Sequence, residues 1–403
     1  MQNESDFTRI CVDFFSGLIE NFFEVPLLVW ESIQYVSNDL ISEHSAEITE
    51  FILNSLLTTN TDQQSICIFR FCRKLFEYHP NLSEIIVNDM IIKQIISIKG
   101  QTYDSYNENL LLISVLCKNQ NLCLKFIEYG IINNIIENLK EKALVDSCLE
   151  VMKHLVSNSD EASKEFFSFV VEFLYSDFKI SAAKVLQKMV SDYTAEQFAK
   201  DFDQLLCLLD YQDQNFQIEL LKVLNCIAKN QLIVLMISIS SFISKISNFI
   251  SSQPELSQYS IPIIASICTL SSQYVREAIE CNILDIFENI HKDCSEIVKY
   301  LIYSCISILI SYADFIDISN IIESKILEII LENYEDFGEN TALILLTGLL
   351  NGLLQEEESG GDQLRNYLSS NFSDFIDYFL SCSDFGEEIQ TKAEKINDIL
   401  SPD

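Results

Sequence analysis

Residue types that carry catalysis are thinly scattered in this chain. The histidines His44, His79, His154 and His291 lie far apart, and none shares a motif with a nucleophile or a second ligand. No Gly-x-x-x-x-Gly-Lys loop, Gly-x-Ser-x-Gly elbow or His-Glu-x-x-His helix occurs, so nucleotide chemistry and zinc hydrolysis lack their usual signatures. Cys67 with Cys72, and Cys117 with Cys123, are close pairs. Neither has the two-residue gap and second Cys or His pair that a structural zinc needs, and Cys72 and Cys117 fall on an apolar helical stripe. No catalytic, metal-binding or cofactor-binding residue is assigned, and the chain is read as a non-enzyme. The chemistry left is that of basic side chains, whose meaning depends on the elements that present them.

Those elements repeat. Cys148, Leu149, Val151, Met152, Leu155 and Val156 form an apolar helical stripe. The same stripe returns as Ala182, Ala183, Val185, Leu186, Met189, Val190 and as Leu220, Leu221, Val223, Leu224, Ile227, Ala228. Earlier copies are Ile68, Phe69, Phe71, Cys72, Leu75, Phe76 and Leu110, Leu112, Ile113, Leu116, Cys117, with Asn109 as a polar intruder. Looser copies follow through Ile263, Ile264, Ile267, Leu270, then Ile302, Tyr303, Ile306, Leu309, and finally Leu346, Leu350, Leu353. The anchors Leu75, Leu116, Leu155, Met189, Ile227, Leu270, Leu309 and Leu353 stand 34 to 44 residues apart. A period of this length marks an array in which each unit buries its apolar face against its neighbours.

Shorter helices lie between the anchors. Ile86, Val87, Ile91, Ile92, Ile95, Ile96 match Phe126, Ile127, Ile131, Ile132, Ile135, Ile136, and Gly130 or Asn88-Asp89 divides each set in two. The unit is therefore three helices. Residues 121–158 read as a first helix ending near Gly130, a second over Ile131–Lys140 and a third over Ala143–Asn158. Thr61 with Gln64, Asn81 with Glu84, and Thr194 with Gln197 fit the capping-box pattern. The recurrent Ser-Asp-Phe at 5–7, 176–178, 373–375 and 383–385 reads as a helix start.

In Asn121, Phe126, Gly130, Ile131, Ile132, Ile135, Ile136 and Leu139, followed by Ala143, Leu149, Met152, Leu155 and Val156, the chain resembles the armadillo repeat family. Ala278, Ile279, Ile283, Ile286, Phe287 and Ile290 form a weaker copy. The resemblance covers most of residues 60–355 and specifies no activity. The expected fold is an all-α, right-handed α-solenoid of eight to ten armadillo- or HEAT-like repeats. Residues 1–60 are expected to form N-terminal capping helices, with Pro26, Trp30 and Val36 in one of them. Residues 61–355 form the array, 356–361 an acidic linker and 362–403 C-terminal capping helices.

With the frame fixed by apolar positions alone, the four columns facing away from each third helix can be read. The first five copies place Arg70, Arg73, Lys74, Lys118, Lys153, Lys184, Lys188, Lys222 and Lys229 there, with His154 beside Lys153 and only Glu77 and Glu150 as acids. The last three read Ala265, Cys268, Thr269, Ser272; Ser304, Ser307, Ile308, Ser311; and Gly348, Asn351, Gly352, Gln355, without charge. The resemblance implies that third helices line the inner, concave surface where partners lie. A basic ladder there, with rungs about 10 Å apart, suits an extended acidic or phosphorylated segment. The family's cargo adaptors for basic nuclear-import signals use arrays of Trp and Asn on these helices. Here Trp30 is the only Trp, and Lys153, Lys188 and Lys222 oppose a basic peptide.

The basic strip runs against the sign of the whole. Net charge is −34; acids and bases over successive hundreds sum to −8, −4 and −6, then −16 over residues 301–403. Such an excess disfavours nucleic acid. Leu256–Val275 is long and uncharged, but its Ser, Gln, Thr and Pro262 make it two helices and not a membrane span. An opening stretch with Glu4, Asp6, Arg9 and Asp13 is not a signal peptide, and 13 cysteines at mostly apolar helical positions read as reduced thiols, which places the protein in the cytosol or nucleus. The expected function is a scaffold for protein partners. Its alternatives are a nuclear transport adaptor for basic cargo held by the acidic end, and a regulatory subunit that holds a phosphatase or kinase.

Overall fold

The computed structural model describes residues 38–43, 45–58, 61–98, 102–382 and 385–401 of the 403-residue chain. All regular structure among them is helical, in 25 α-helices and six short 3-10 turns. The chain divides into two compact units, Met1–Met189 and Val190–Asp403.

The expected third helices form in both units. The first unit has α1 (Asp62–Tyr78), α2 (Tyr103–Leu116), α3 (Val145–Asn158) and α4 (Lys179–Met189); the second has α5 (Gln214–Lys229), α6 (Ser257–Cys268), α7 (Glu296–Tyr312), α8 (Glu339–Ser359) and the closing α9 (Glu387–Leu400). Within the first unit α1 packs on α2, α2 on α3 and α3 on α4; within the second the same succession runs from α5 to α9. The stripes read from the sequence are the contact surfaces. Ile68, Phe69, Phe71, Cys72, Leu75 and Phe76 on α1, and Cys148 to Val156 on the stripe of α3, are buried. Each Leu, Ile or Phe so removed from water contributes about 1.5–3 kcal/mol, and stacking supplies the neighbour that makes the removal complete.

The period also appears in polar contacts. Side-chain hydrogen bonds join residues one repeat apart, such as Lys142 to Asp177, Arg70 to Glu108, Ser240 to Glu277 and Ser319 to Gln363, at spacings of 35, 38, 37 and 44 residues. The three-helix unit is plain over Gln120–Glu128, Ile131–Asn138 and α3. Gly130 makes its first corner at φ 86°, in the left-handed region where a Cβ is penalised. Asn282 makes the equivalent corner at φ 59° between Ser272–Glu280 and Ile283–His291. One repeat before Gly130 the corner is an Asn88 cap, whose side chain accepts from Met90 N and Ile91 N.

Several local expectations fail for identifiable reasons. Thr61 caps α1 through Gln64 N, but Asn81 lies inside a 3-10 turn, Pro80–Leu82. Ser191 precedes the 3-10 turn Asp192–Thr194 and forms the capping box with Thr194, which makes no cap of its own. Ser176 accepts from Phe178 N just before α4, whereas Ser373 and Asp374 lie within a helix, Ser373–Ser381. The copies at 5–7 and 383–384, like Pro26, Trp30 and Val36, fall outside the described residues. In α6 the buried set is Ser257, Ser260, Ile261, Ile263, Ile264, Ile267 and Cys268, so the anchor is Ile267; Leu270 lies past the helix end and Cys268 faces the core.

The acidic run expected as a linker is structured. Residues 356–359 finish α8, and the chain turns at Gly360, φ 75°. Glu356 is buried, and its carboxylate accepts from Leu364 N at 2.8 Å and Arg365 N at 3.0 Å. It thereby serves the orphan amides of the next helix, Gln363–Asn371, whose Asp362 makes no side-chain cap. Leu256–Val275 is divided between α6 and Ser272–Glu280, and among the described residues no helix is long and apolar enough to cross a membrane.

Candidate partner-binding face

The basic columns sit on the face of each helix opposite the buried stripe, as the frame requires, but their charges are not equally available. In the first unit Glu108, at the second turn of α2, is buried and reaches back one repeat to α1. Its Oε1 accepts from Arg70 Nε at 3.0 Å and Nη2 at 2.7 Å, and its Oε2 from Arg73 Nε at 3.2 Å. Arg73 also donates to Glu77 at 2.9 Å, and Lys74 donates to the other oxygen of Glu77 at 2.8 Å. Burial pushes the Glu77 carboxyl up, but the hydrogen bonds from Lys74 and Arg73 outweigh it and hold it below its ordinary value. The three bases of α1 are thus matched by two carboxylates.

On α3, Lys153 pairs with Glu150 at 2.5 Å. His154 lies 3.6 Å from the same carboxylate, beyond hydrogen-bond reach. Burial and the adjacent Lys153 lower its pKa, so the imidazole is neutral near pH 7. Lys118, Lys184 and Lys188 are different: all three are exposed, and none has an acidic partner among the described residues. Lys118 also borders a groove of ≈ 500 Å³ between the C-terminal ends of α1 and α2, with Val115 on its wall and Glu77 opposite.

In the second unit Lys222 pairs with Glu219 at 2.8 Å and lies 6.0 Å from the Tyr259 ring centroid. Lys229, the last residue of α5, is exposed and unpaired among the described residues. Further along, small side chains replace charge. Pro262, Ala265, Ser266 and Thr269 occupy the outward columns of α6 in its corrected register, and Ser304, Ser307, Ile308 and Ser311 those of α7. Ser307 is buried and donates to Ile344 O at 2.6 Å. Gly348 and Gly352, read from the sequence as outward, instead face α7. A Cβ on Gly348 would lie 2.2 Å from Ser307 Oγ, and one on Gly352 2.6 Å from Ile310 Cγ2, so their absent side chains are what let α8 approach.

The neutralising acids were partly legible. Glu219 stands three residues before Lys222 and Glu150 three before Lys153, the spacing at which helical side chains meet. Glu108 stands 38 residues after Arg70, a pairing visible only once repeats are stacked. The 12 described cysteines are free thiols. Burial pushes Cys148 and Cys305 up to about 12, far from reactive thiolates.

No protein-family model and no curated protein sequence matches the chain. Among solved structures it is similar to an engineered protein, at 14% identity and a TM-score of 0.67, over 92% of this chain and 93% of that one. Two designed armadillo repeat proteins, one in complex with the peptide (KR)4, align over 67% of this chain at 15% and 16% identity, each with a TM-score of 0.45. The first likeness is one of fold. With three-helix units recurring in both units, the chain has an all-α helical-repeat fold.

Proposed function

We propose that the protein is a non-enzymatic interaction scaffold that binds an extended acidic or phosphorylated segment of a protein partner along the outward face of its third helices. The observation that carries this reading is the state of Lys118, Lys184 and Lys188. In a chain of net charge −34 with 60 acids, most bases on this face are matched, yet these three stand exposed on one unit without a carboxylate. A surface that solvated itself would have acids enough to cover them. Arg70, Arg73, Lys74 and Lys153 take a second place on the first unit's face, since a partner must compete with Glu108, Glu77 and Glu150 for them, and on the second unit's face Lys222 is held by Glu219 in the same way. On the second unit's own face Lys229 is likewise exposed and unpaired among the described residues.

The test is the triple reversal Lys118→Glu, Lys184→Glu, Lys188→Glu, titrated with a short fluorescein-labelled peptide of alternating Glu and Ser. Exposed pairings contribute about 0.2–1 kcal/mol each, so three account for roughly three-fold to a hundred-fold in affinity. Unpaired surface residues change stability by about 0.5 kcal/mol or less, so circular dichroism and urea unfolding should be unaltered. Unchanged peptide affinity in the folded triple variant would sink the proposal.

A further inference from the structure

The uncharged stretch of the second unit is also shaped. Between α5, α6 and α7 the outward face sinks into a recess of ≈ 310 Å³, lined by Lys229, Pro262, Ala265, Thr269, Leu301 and Ile308 among others. Pockets for ligands begin at about 300 Å³, so this one is scaled to a single bulky side chain. It exists because α6 offers Pro262, Ala265, Ser266 and Thr269 where α5 offers Lys222, Asn225, Cys226 and Lys229.

Two of the hydroxyls in the lining are engaged by their own helix. Ser266 Oγ donates to Pro262 O at 2.8 Å, and Thr269 Oγ1 donates to Ser266 O at 2.8 Å. Both hydroxyls are turned back onto the backbone of their own helix, and the Pro262 ring, Leu270, Leu301 and Ile308 supply carbon, with Ser304 as the remaining hydroxyl of the lining. Apolar area whose neighbouring hydroxyl protons are already engaged favours an apolar side chain, which gains from burial there while a hydrated one loses its water. Lys229, exposed and without an acidic partner, stands in the lining.

We propose that this recess takes one large apolar side chain, of the Leu, Ile or Phe class, from an extended peptide whose neighbouring carboxylate or phosphate pairs with Lys229. The inference rests on the scaffold reading and narrows it: the bound segment carries an acidic group beside an apolar anchor. Charge complementarity places the acid, and the carbon of Pro262, Leu301 and Ile308, with the α6 hydroxyl protons turned in, favours an apolar anchor.

The experiment uses the full chain and two fluorescein-labelled probes, the alternating Glu–Ser peptide and the same peptide with one central Ser exchanged for Leu. The Leu probe should bind about tenfold tighter, the scale of burying a few CH₂ groups. Ala265→Trp, which fills the recess from an outward column, should erase that advantage and leave the Glu–Ser probe unaffected; Thr269→Phe is a second filling variant should the first lose helical content. Lys229→Ala should weaken the Leu probe severalfold. Equal affinity of the two probes, or a Leu advantage that survives both filled variants, overturns the recess as an anchor while leaving acidic binding in place. If neither probe binds, the acidic-groove reading falls and this inference falls with it.

Discussion

Glu108→Gln separates what holds the first unit together from what it has to offer a partner. The carboxylate takes two guanidinium contacts on Oε1 from Arg70 and two on Oε2 from Arg73, between 2.7 and 3.2 Å. The amide keeps the shape but loses the charge and turns an NH₂ toward two cations. A charge-assisted hydrogen bond is worth about 1.5–3 kcal/mol. Arg70 is 35% exposed and Arg73 retains Glu77, so solvent and the second acid soften the loss, and the expected destabilisation is about 1.5–3 kcal/mol in total and not per bond. The same substitution releases Arg70 from its carboxylate partner and half-releases Arg73, at about 0.2–1 kcal/mol for each new exposed pairing. The Glu–Ser peptide should therefore bind about 1.4- to 5-fold tighter per guanidinium set free, even as the urea midpoint falls. Peptide anisotropy and urea unfolding on one preparation read both quantities. A variant that is less stable and binds the peptide no better, with helical content intact, refutes the idea that α1 contributes to the binding face.

Asp317 is buried, and burial, against the opposing pull of Arg276, holds its carboxyl above 3.8. The folded state then keeps a proton that the unfolded state gives up, so stability falls as pH rises through that window; Asp317→Asn should flatten this slope and raise stability at pH 7 in urea titrations across pH, and a loss at pH 7 would mean that pairing with Arg276 dominates. Gly348→Ala brings a Cβ within 2.7 Å of the Ser307 backbone and should cost about 1–3 kcal/mol or more by forcing α7 and α8 apart, whereas an unchanged melting temperature would contradict the close approach. Leu155→Ala should cost about 2–5 kcal/mol by calorimetry, because Leu155 is fully buried between stacked helices. Glu356→Ala should cost about 1–2 kcal/mol by removing the cap of Gln363–Asn371, and a neutral result would return residues 356–361 to linker status.

Apolar periodicity made the helices and their buried faces legible, because a stripe such as Cys148 to Val156 has one way to be buried. It was less informative where a helix is apolar on several sides. On α6 an all-round run of Ile, Ser and Pro allows two registers three residues apart, and only packing selects Ile267 over Leu270. On α8 Gly348 and Gly352 look outward on a wheel, but small residues mark close approach, and Ser307 is what approaches. The pairing of the basic columns was not legible, since Glu108 holds Arg70 across a repeat and no local rule links residues 38 apart. Glu356 looked like part of a solvated acidic run, yet its oxygens are claimed by two amides eight and nine residues on.

The central claim is that an acidic segment lies on the outward face of the third helices. Its most direct measurement is photo-cross-linking of the Glu–Ser peptide carrying one benzophenone, followed by mass spectrometry of the adducts. The account predicts adducts on α2 and α4 of the first unit, around Lys118, Lys184 and Lys188, and separately at the end of α5 in the second, around Lys229, each lost as salt rises from about 0.1 M to about 1 M and the screening length falls from about 10 Å to about 3 Å. Adducts confined to the other helices of the repeats, such as Asp89–Ser97 or Gln120–Glu128, would contradict it.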